Sequence, residues 1–190
     1  MPDSINQRLV RRLLTCLPVI FLAGCAASTD HPADGGLIHR RNEGYSLLFK
    51  LMGDESDVGE IFFIKHADDS VGNLVREVGQ TCKEAKAQLQ AFAKTDDTVE
   101  FDEPDLPLIE QRSRKLTADW ETRELLTSGE KDFELRLIFT QAQAMSYASE
   151  LCKALYEIES DPSRKAFLST LADRCDRLYD RLMALLTVKL

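Results

Sequence analysis

The chain has 190 residues, of which 44% are hydrophobic and 7% aromatic, and it carries 24 Lys and Arg residues against 32 Asp and Glu residues. This length and apolar content are enough for one domain with a hydrophobic core, and they exclude a chain that is disordered throughout. The net charge of −8 argues against nucleic acid as a partner, because neutralising phosphates requires clustered Lys and Arg.

Residues 1–24 are predicted to be a signal peptide. A basic stretch with Arg8, Arg11 and Arg12 precedes an apolar run over residues 13–22. This run of about ten residues is too short for a membrane-spanning helix, which needs ~20. A basic start followed by a short apolar run is typical of a secretory signal that is removed from the mature protein.

The apolar run ends in Leu22-Ala23-Gly24-Cys25, which resembles a bacterial lipobox. In that family of signals a diacylglyceryl group is attached to the cysteine sulfur, which is the nucleophile, and the peptide is cut just before it. The resemblance implies a lipid-anchored mature chain that starts at Cys25. By resemblance to Gram-negative sorting, Ala26 implies the outer membrane, with the protein facing the periplasm. An ordinary secretory signal with an incidental Cys25 is the alternative.

Residues 25–42 are predicted to be the lipidated N-terminus and a flexible tether. Residues 26–41 are mostly small and polar, contain Gly and Pro, and show no sustained apolar periodicity. Such a segment has a root-mean-square reach of roughly 20–25 Å, which holds a domain clear of the lipid headgroups. The remaining residues, 43–190, are predicted to form the folded domain.

Four long helices are predicted within residues 43–190, because apolar residues recur there at steps of three and four. They cover residues 45–66, 70–94 and 133–159, and the last begins at Pro162 after an N-cap at Asp161. The segment at residues 61–64 is apolar on all sides and is expected to be the most buried part of the chain.

The connection over residues 95–130 opens with an acidic segment, interpreted as a solvated loop, with weak binding of a divalent cation such as Ca²⁺ as the alternative. It then contains a shorter helix over residues 108–126. That helix holds Trp120, the only tryptophan. Two antiparallel helix pairs joined by a long crossover are one established way to build a four-helix bundle. We therefore predict an all-α fold.

A resemblance to a known family adds to this prediction. The hairpin that begins FFIKHADDSVGNLVREVGQTCKEAKAQLQAFAK and a second one with FELRLIFTQAQAMSYASELCKAL and FLSTLADRCDRL resemble a bacterial ferritin-like family of envelope proteins with a domain of unknown function. The resemblance implies a ferritin-like four-helix bundle with a long crossover that contains a short extra helix. It implies a periplasmic compartment and no particular activity.

The residues for a di-iron centre are missing from the sequence. Such a centre needs two Glu-x-x-His motifs, and none of the three histidines follows a Glu by three residues. His66 is the one histidine in the predicted domain, and Glu55 is the one carboxylate found at an inward spacing. A rim or partly solvated position is expected for Glu55, with a ligand position as the alternative. We predict no metal and no cofactor.

Three cysteines remain after Cys16 and Cys25: Cys82, Cys152 and Cys175. All three lie on apolar stripes, so they can serve as small, buried hydrophobic residues. Alternatively, two of them form a disulfide in an oxidising periplasm. In a straight hairpin Cys152 and Cys175 differ in height by about 7.5 Å. Cys82 and Cys175 lie level if their helices are parallel neighbours, and they are the favoured pair.

The expected function is that of a lipid-anchored, periplasm-facing envelope protein with a non-catalytic binding or structural role. The membrane is the expected partner through the lipid, together with other envelope proteins. No nucleophile elbow, P-loop or haem-attachment motif points to an enzyme. A small-ligand or metal-binding ferritin-like bundle is the alternative. A third hypothesis, an enzyme that uses His66 with a carboxylate, requires an enclosed polar pocket around that residue.

Overall fold

The computed structural model describes residues 34–101 and 106–190. These residues form five α-helices and a short 3₁₀ helix and contain no β-strand. The prediction of an all-α fold is therefore confirmed. The helices are α1 (Asp34–Glu55), the 3₁₀ helix (Val58–Phe63), α2 (Asp69–Thr95), α3 (Leu108–Thr127), α4 (Glu130–Ile158) and α5 (Pro162–Lys189).

The four long helices α1, α2, α4 and α5 pack around one hydrophobic core. The α4–α5 pair has the most extensive contact, α1 contacts α2 and α4, and α2 also contacts α4 and α5. Each long helix contributes fully or almost fully buried side chains, for example Leu48, Val78, Met145 and Leu178. The shorter helix α3 lies in the crossover and contacts α4. No helix among the described residues is long and apolar enough to cross a membrane.

The start of α5 has the capping geometry that the sequence predicts. The Asp161 side chain accepts a hydrogen bond of 2.8 Å from the backbone N–H of Arg164, and Pro162 occupies the first helical position. This cap satisfies a donor that the helix itself leaves unpaired. The observed bounds of α2 and α3 also agree with the predicted helices to within two residues.

The first helix begins earlier than the sequence indicates. Residues 34–42, which the sequence analysis places in the tether, are the first turns of α1. The Arg41 guanidinium in this segment is buried, and it donates to the backbone carbonyl of Thr98 over 2.7 Å. This contact is with a residue far along the chain, so no local apolar period could indicate it. Residues 1–33, including the lipobox-like segment and Cys25, lie outside the described residues.

The apolar segment at residues 61–64 is not the most buried part of the chain. Ile61 is 5% exposed, but Phe63 is 80% exposed and Ile64 43%. α1 ends at Glu55, and the segment belongs to a 3₁₀ helix with three residues per turn. Val58 and Ile61, three residues apart, are therefore its buried residues, and Phe62 packs against the core while partly exposed. The prediction is wrong because it assumed one continuous α-helix.

Candidate functional site

Glu55, the last residue of α1, is a fully buried carboxyl group. Its exposed fraction is 0%, and neither of its oxygens has a hydrogen-bond partner among the described residues. Glu55 follows Leu48, Leu51 and Met52 at helical spacing, so it continues the buried stripe of α1. The predicted rim or partly solvated position is therefore wrong. A buried and unpaired polar group is rare in folded proteins and requires an explanation.

Three other helices contribute polar side chains around Glu55. The pKa of Glu55 is influenced by two of them, Gln141 on α4 and Glu121 on α3, so both lie close to its carboxyl group. The third is Cys82 on α2, which lies close enough for Glu55 to raise the pKa of the thiol. We call these four residues the Glu55 cluster. Buried oxygens without a partner also occur at Gln141 Oε1 and Glu121 Oε2. The cluster thus brings together several acceptors and very few donors.

Burial raises the pKa of Glu55 to about 8, because the carboxylate loses its hydration. The Gln141 amide lowers this pKa, without forming a hydrogen bond of normal geometry, and the charges of Asp54 and Glu121 raise it further. Glu55 is therefore mostly protonated at pH 7. A protonated carboxyl has an O–H that can donate to an oxygen such as Gln141 Oε1, so the proton removes part of the donor deficit.

The three cysteines of the domain are buried, free thiols. Burial raises the pKa of all three, that of Cys175 to about 12. Cys175 lies close enough to Cys82 and to Cys152 to raise the pKa of each electrostatically. A thiol with so high a pKa is a poor nucleophile at neutral pH. The pairing of Cys82 with Cys175 stays a prediction.

His66 lies in the loop between the 3₁₀ helix and α2, and its side chain is exposed. An enzyme built on His66 requires an enclosed polar pocket around that residue. The exposed position contradicts that hypothesis.

The residues around Glu55 set limits on which metal the bundle can hold. No group of three or more His, Cys, Asp or Glu side chains in residues 34–101 and 106–190 is placed to hold a metal ion. Glu55 and Glu121 can supply carboxylate oxygens and Gln141 an amide oxygen. Ligands of this kind suit Mg²⁺ or Ca²⁺ rather than iron in a histidine-containing site.

A second polar cluster lies where α4 ends and α5 begins. The fully buried Glu159 carboxylate accepts hydrogen bonds from Tyr45 Oη at 2.7 Å and Arg164 Nε at 2.8 Å. It also accepts from the backbone N–H groups of Ser160 and Asp161. Burial alone raises the pKa of Glu159, but these hydrogen bonds, above all those from Arg164, outweigh burial and hold the pKa at about 2.

The same cluster extends to the end of α2. Arg164 also donates to Asp96, and Arg41 donates to the Thr98 hydroxyl over 3.0 Å. Hydrogen bonds from Thr98 and from Arg164 hold the pKa of Asp96 at about 2. We call Arg41, Tyr45, Asp96, Glu159 and Arg164 the Glu159 cluster. Its carboxylates are paired with internal donors, so it joins α1, α2, α4 and α5 and offers no open ligand site.

Helix α3 carries large apolar side chains that point away from the bundle. Leu108 and Ile109 are each 77% exposed, Leu116 is 60% and Trp120 is 52%. We call Ile109, Leu116 and Trp120, with the adjacent Leu108, the α3 face. The opposite side of the helix carries Thr122 and Leu125, which are buried. The apolar side of α3 is thus the exposed one.

Most of these residues were not predicted from the sequence. Gln141 lies among apolar residues of α4, between Ile138 and Met145, and a polar residue inside an apolar stripe is a signal that could have been used. The Glu159 cluster has no such signal, because its members lie up to 123 residues apart, from Arg41 to Arg164. The spacing of Ile109, Leu116 and Trp120 indicates one helix side but not its exposure.

Comparisons with protein-family models, with curated proteins and with solved structures found no match to this chain. The function must therefore be inferred from the residues themselves.

Proposed function

We propose that the chain is a lipid-anchored protein of the bacterial cell envelope, held at the outer membrane with its helical domain in the periplasm. The observation that carries the proposal is the sequence Leu22-Ala23-Gly24-Cys25 after a basic and then an apolar segment. Diacylglyceryl transfer to the Cys25 sulfur and cleavage before it leave residues 25–190 as the mature chain. Two acyl chains are sufficient for stable anchoring.

The role of the domain is non-catalytic, in binding or in structural support of the envelope. Three features of the described residues support this part of the proposal. The Glu159 carboxylate is occupied by internal donors, the Cys82, Cys152 and Cys175 side chains are buried, and His66 lies exposed in a loop. None of these groups combines reactivity with a pocket for a substrate, which catalysis requires.

We also propose that the domain is a ferritin-like four-helix bundle. The order of two long helices, a crossover with a short helix, and two further long helices supports a ferritin-like bundle. In this arrangement α3 is the extra helix of the crossover.

The test is the intact mass of the protein purified from the membrane fraction. We expect the mass of residues 25–190 plus a diacylglyceryl group. In a Cys25→Ser variant we expect the unprocessed, unlipidated chain. The matched control is Cys16→Ser, which removes the other cysteine of the signal segment and should leave the lipidated mass unchanged. An unlipidated wild-type product would contradict the proposal.

A small-ligand or metal-binding bundle is the second candidate function. It is favoured by the buried, unpartnered oxygens of Glu55, Glu121 and Gln141. Since Glu55 must lose its proton to bind a cation, Mg²⁺ or Ca²⁺ should bind more tightly at pH 9 than at pH 6. Calorimetric titration with each ion at both pH values tests this. Binding that is lost in Glu55→Gln would favour the second candidate, and no binding at either pH would count against it.

A further inference from the structure

We propose that the α3 face lies on the surface of the lipid bilayer, as a second and peripheral membrane contact beside the acyl chains. The inference rests on the proposed lipid anchor at Cys25, since the anchor is what brings the domain to a bilayer. The occupant of the face is thus a phospholipid surface, not another protein.

The geometry of α3 places three of its exposed apolar side chains in one continuous stripe. At 100° per residue, Ile109, Leu116 and Trp120 project within about 40° of one another. The buried Leu125 and the half-buried Ala118 lie on the opposite side of the helix. A rotation of α3 about its own axis that buried the stripe would therefore expose Leu125.

The charges on α3 fit a phospholipid surface. Arg112 and Arg123 project within about 40° of Leu116, both are exposed, and neither forms an ion pair within residues 34–101 and 106–190. Arginine beside an apolar stripe buries its stem and extends the guanidinium to the phosphates.

The acidic residues next to the stripe are already paired. Asp119 pairs with Lys115 at 3.0 Å, Glu124 pairs with Arg136 at 3.1 Å, and Glu110 pairs with Arg114 at 2.7 Å. The charges beside Leu116 and Trp120 that have no ion-pair partner among the described residues are therefore those of Arg112 and Arg123, although the mature chain is acidic. Residues 1–24 contain three Arg and one Asp, so the mature charge is −8 minus +2, or −10. Acidic surfaces are repelled by anionic lipid, which leaves the α3 face as the side that approaches it.

The position of the anchor makes even a weak contact effective. Cys25 and Asp34 are nine residues apart, so the start of α1 stays within ~30 Å of the acyl chains even if the link is fully extended. Glu121 on α3 lies beside Glu55 at the other end of α1, so the anchor holds the α3 face within ~60 Å of the acyl chains. Binding of the face to the bilayer is then an intramolecular event with a raised effective concentration. Tryptophan also favours the interface between headgroups and acyl chains.

A second copy of the chain is the less favoured occupant. In a parallel pair of α3 helices, Arg112 and Arg123 would each face the same arginine of the partner copy. Like charges placed together and removed from water disfavour association. On a bilayer the same arginines meet phosphates.

Trp120 provides a direct test because it is the only tryptophan in the chain. The full-length lipidated protein is reconstituted into phosphatidylethanolamine–phosphatidylglycerol vesicles, with or without brominated acyl chains, and its lipidation is checked by intact mass. We expect brominated lipid to quench the Trp120 emission and a soluble quencher, acrylamide, to quench it less than in the unfolded chain.

Two variants distinguish contact of the α3 face with the bilayer from contact of any exposed apolar side chain with the bilayer. Leu116→Glu places a carboxylate in the centre of the α3 face, and we expect it to abolish the quenching by brominated lipid. The matched control is Val188→Glu on α5, where an apolar and 82% exposed side chain lies in a groove with Leu74 of α2 and Leu185 of α5. This variant should keep the wild-type quenching. Circular dichroism melts check that both variants fold.

Two results would overturn the inference while leaving the anchor intact. The first is a lipidated protein, shown by its mass, whose Trp120 emission is unaffected by brominated lipid. The second is an emission change that needs no bromine and grows with the protein-to-lipid ratio, which would identify a second copy as the occupant. A mass without the diacylglyceryl group would instead overturn the anchor proposal, and the α3 inference with it.

Discussion

Glu55 and Glu159 are both fully buried carboxyl groups, yet their protonation states are opposite. Glu159 accepts five hydrogen bonds, including two from the Arg164 guanidinium, and its pKa is held at about 2. Glu55 has no such donors, and burial raises its pKa to about 8. Burial therefore does not decide the charge of a side chain. The neighbouring donors decide it, because they replace the lost hydration of the carboxylate.

Glu55→Gln should stabilise the protein at alkaline pH. The native pKa of Glu55, about 8, lies above the ordinary value of 4.5, so the native state holds a proton that the unfolded state releases. The stability contributed by the neutral carboxyl is complete below pH 4.5 and is lost as the pH rises toward 8. At pH 8 the free energy of unfolding of the variant should exceed that of the wild type by on the order of a few kcal/mol.

Urea unfolding at pH 4.5 and pH 8 measures this gain. The variant and the wild type should differ little at pH 4.5, where Glu55 is protonated in the native state and about half protonated in the unfolded state. Glu157→Gln is the matched control, since Glu157 is exposed on α4 and should show no gain at either pH. Equal stability of Glu55→Gln and wild type at pH 8 would contradict the raised pKa.

The number of reactive thiols tests the predicted disulfide between Cys82 and Cys175. Because Cys82, Cys152 and Cys175 are buried with raised pKa values, the native protein should not react with a thiol reagent at pH 8. After unfolding without reductant, the exported protein should show one reactive thiol if Cys82 pairs with Cys175. Cys152→Ser should then show none. Three reactive thiols in the wild type would refute the predicted pair.

At the scale of elements, the Glu159 cluster joins the four helices α1, α2, α4 and α5. Tyr45 comes from α1, Glu159 from the end of α4, and Asp96 from the end of α2. Arg164 in the first turn of α5 connects the two carboxylates. Removing one member leaves buried charged groups without a partner, which costs more than the bond itself is worth.

Tyr45→Phe should lower the free energy of unfolding by about 1.5–3 kcal/mol, since the lost hydrogen bond was made to a buried charge. Thermal or urea unfolding at pH 7 gives the value. Tyr156→Phe is the matched control: Tyr156 is 43% exposed, and a phenyl ring keeps its contact with the Lys165 ammonium. An equal loss in both variants would mean that the Glu159 contact contributes nothing specific.

Two glycines of α1 should respond oppositely to alanine. A Cβ at Gly44 would lie 2.7 Å from Cδ2 of the buried Leu155 on α4, so Gly44→Ala should destabilise the bundle. Overpacking of this kind costs about 1–3 kcal/mol. A Cβ at Gly53 meets only the flexible end of Lys86, with the ammonium 3.1 Å away.

Gly53→Ala should therefore stabilise α1 by up to ~1 kcal/mol, through the higher helix propensity of alanine. Parallel urea unfolding of the two variants measures both effects. A stabilised Gly44→Ala would show that α1 and α4 are free to move apart at this position.

At the scale of the whole molecule, the two buried carboxyls predict the pH dependence of stability. The contribution of Glu159 is complete above pH 4.5 and is lost as the pH falls toward 2, because its native pKa is lowered. The contribution of Glu55 is lost as the pH rises from 4.5 to 8. These two groups place the most stable pH near 5.

The free energy of unfolding between pH 2.5 and pH 9 tests this profile. Stability should fall on both sides of pH 5, and Glu55→Gln should flatten the alkaline side alone. A maximum at pH 7 or above, unaltered in the variant, would contradict the profile.

The sequence by itself determined the helical class, the positions of α2, α3, α4 and α5, and the cap at Asp161. These features depend on the periodicity of apolar residues and on local capping, both of which are encoded within a few turns of chain. The lipobox-like segment is equally local, and its function stays a prediction.

Only the tertiary structure decided the environments of the polar residues. The start of α1 depends on the contact of Arg41 with Thr98, and the charge of Glu159 depends on Arg164 and Tyr45. The burial of Glu55 and the exposure of the α3 face depend on how α3 is placed against α4 and its neighbours. Apolar spacing identifies one side of a helix but not what covers it, because burial is a property of contacts between distant parts of the chain.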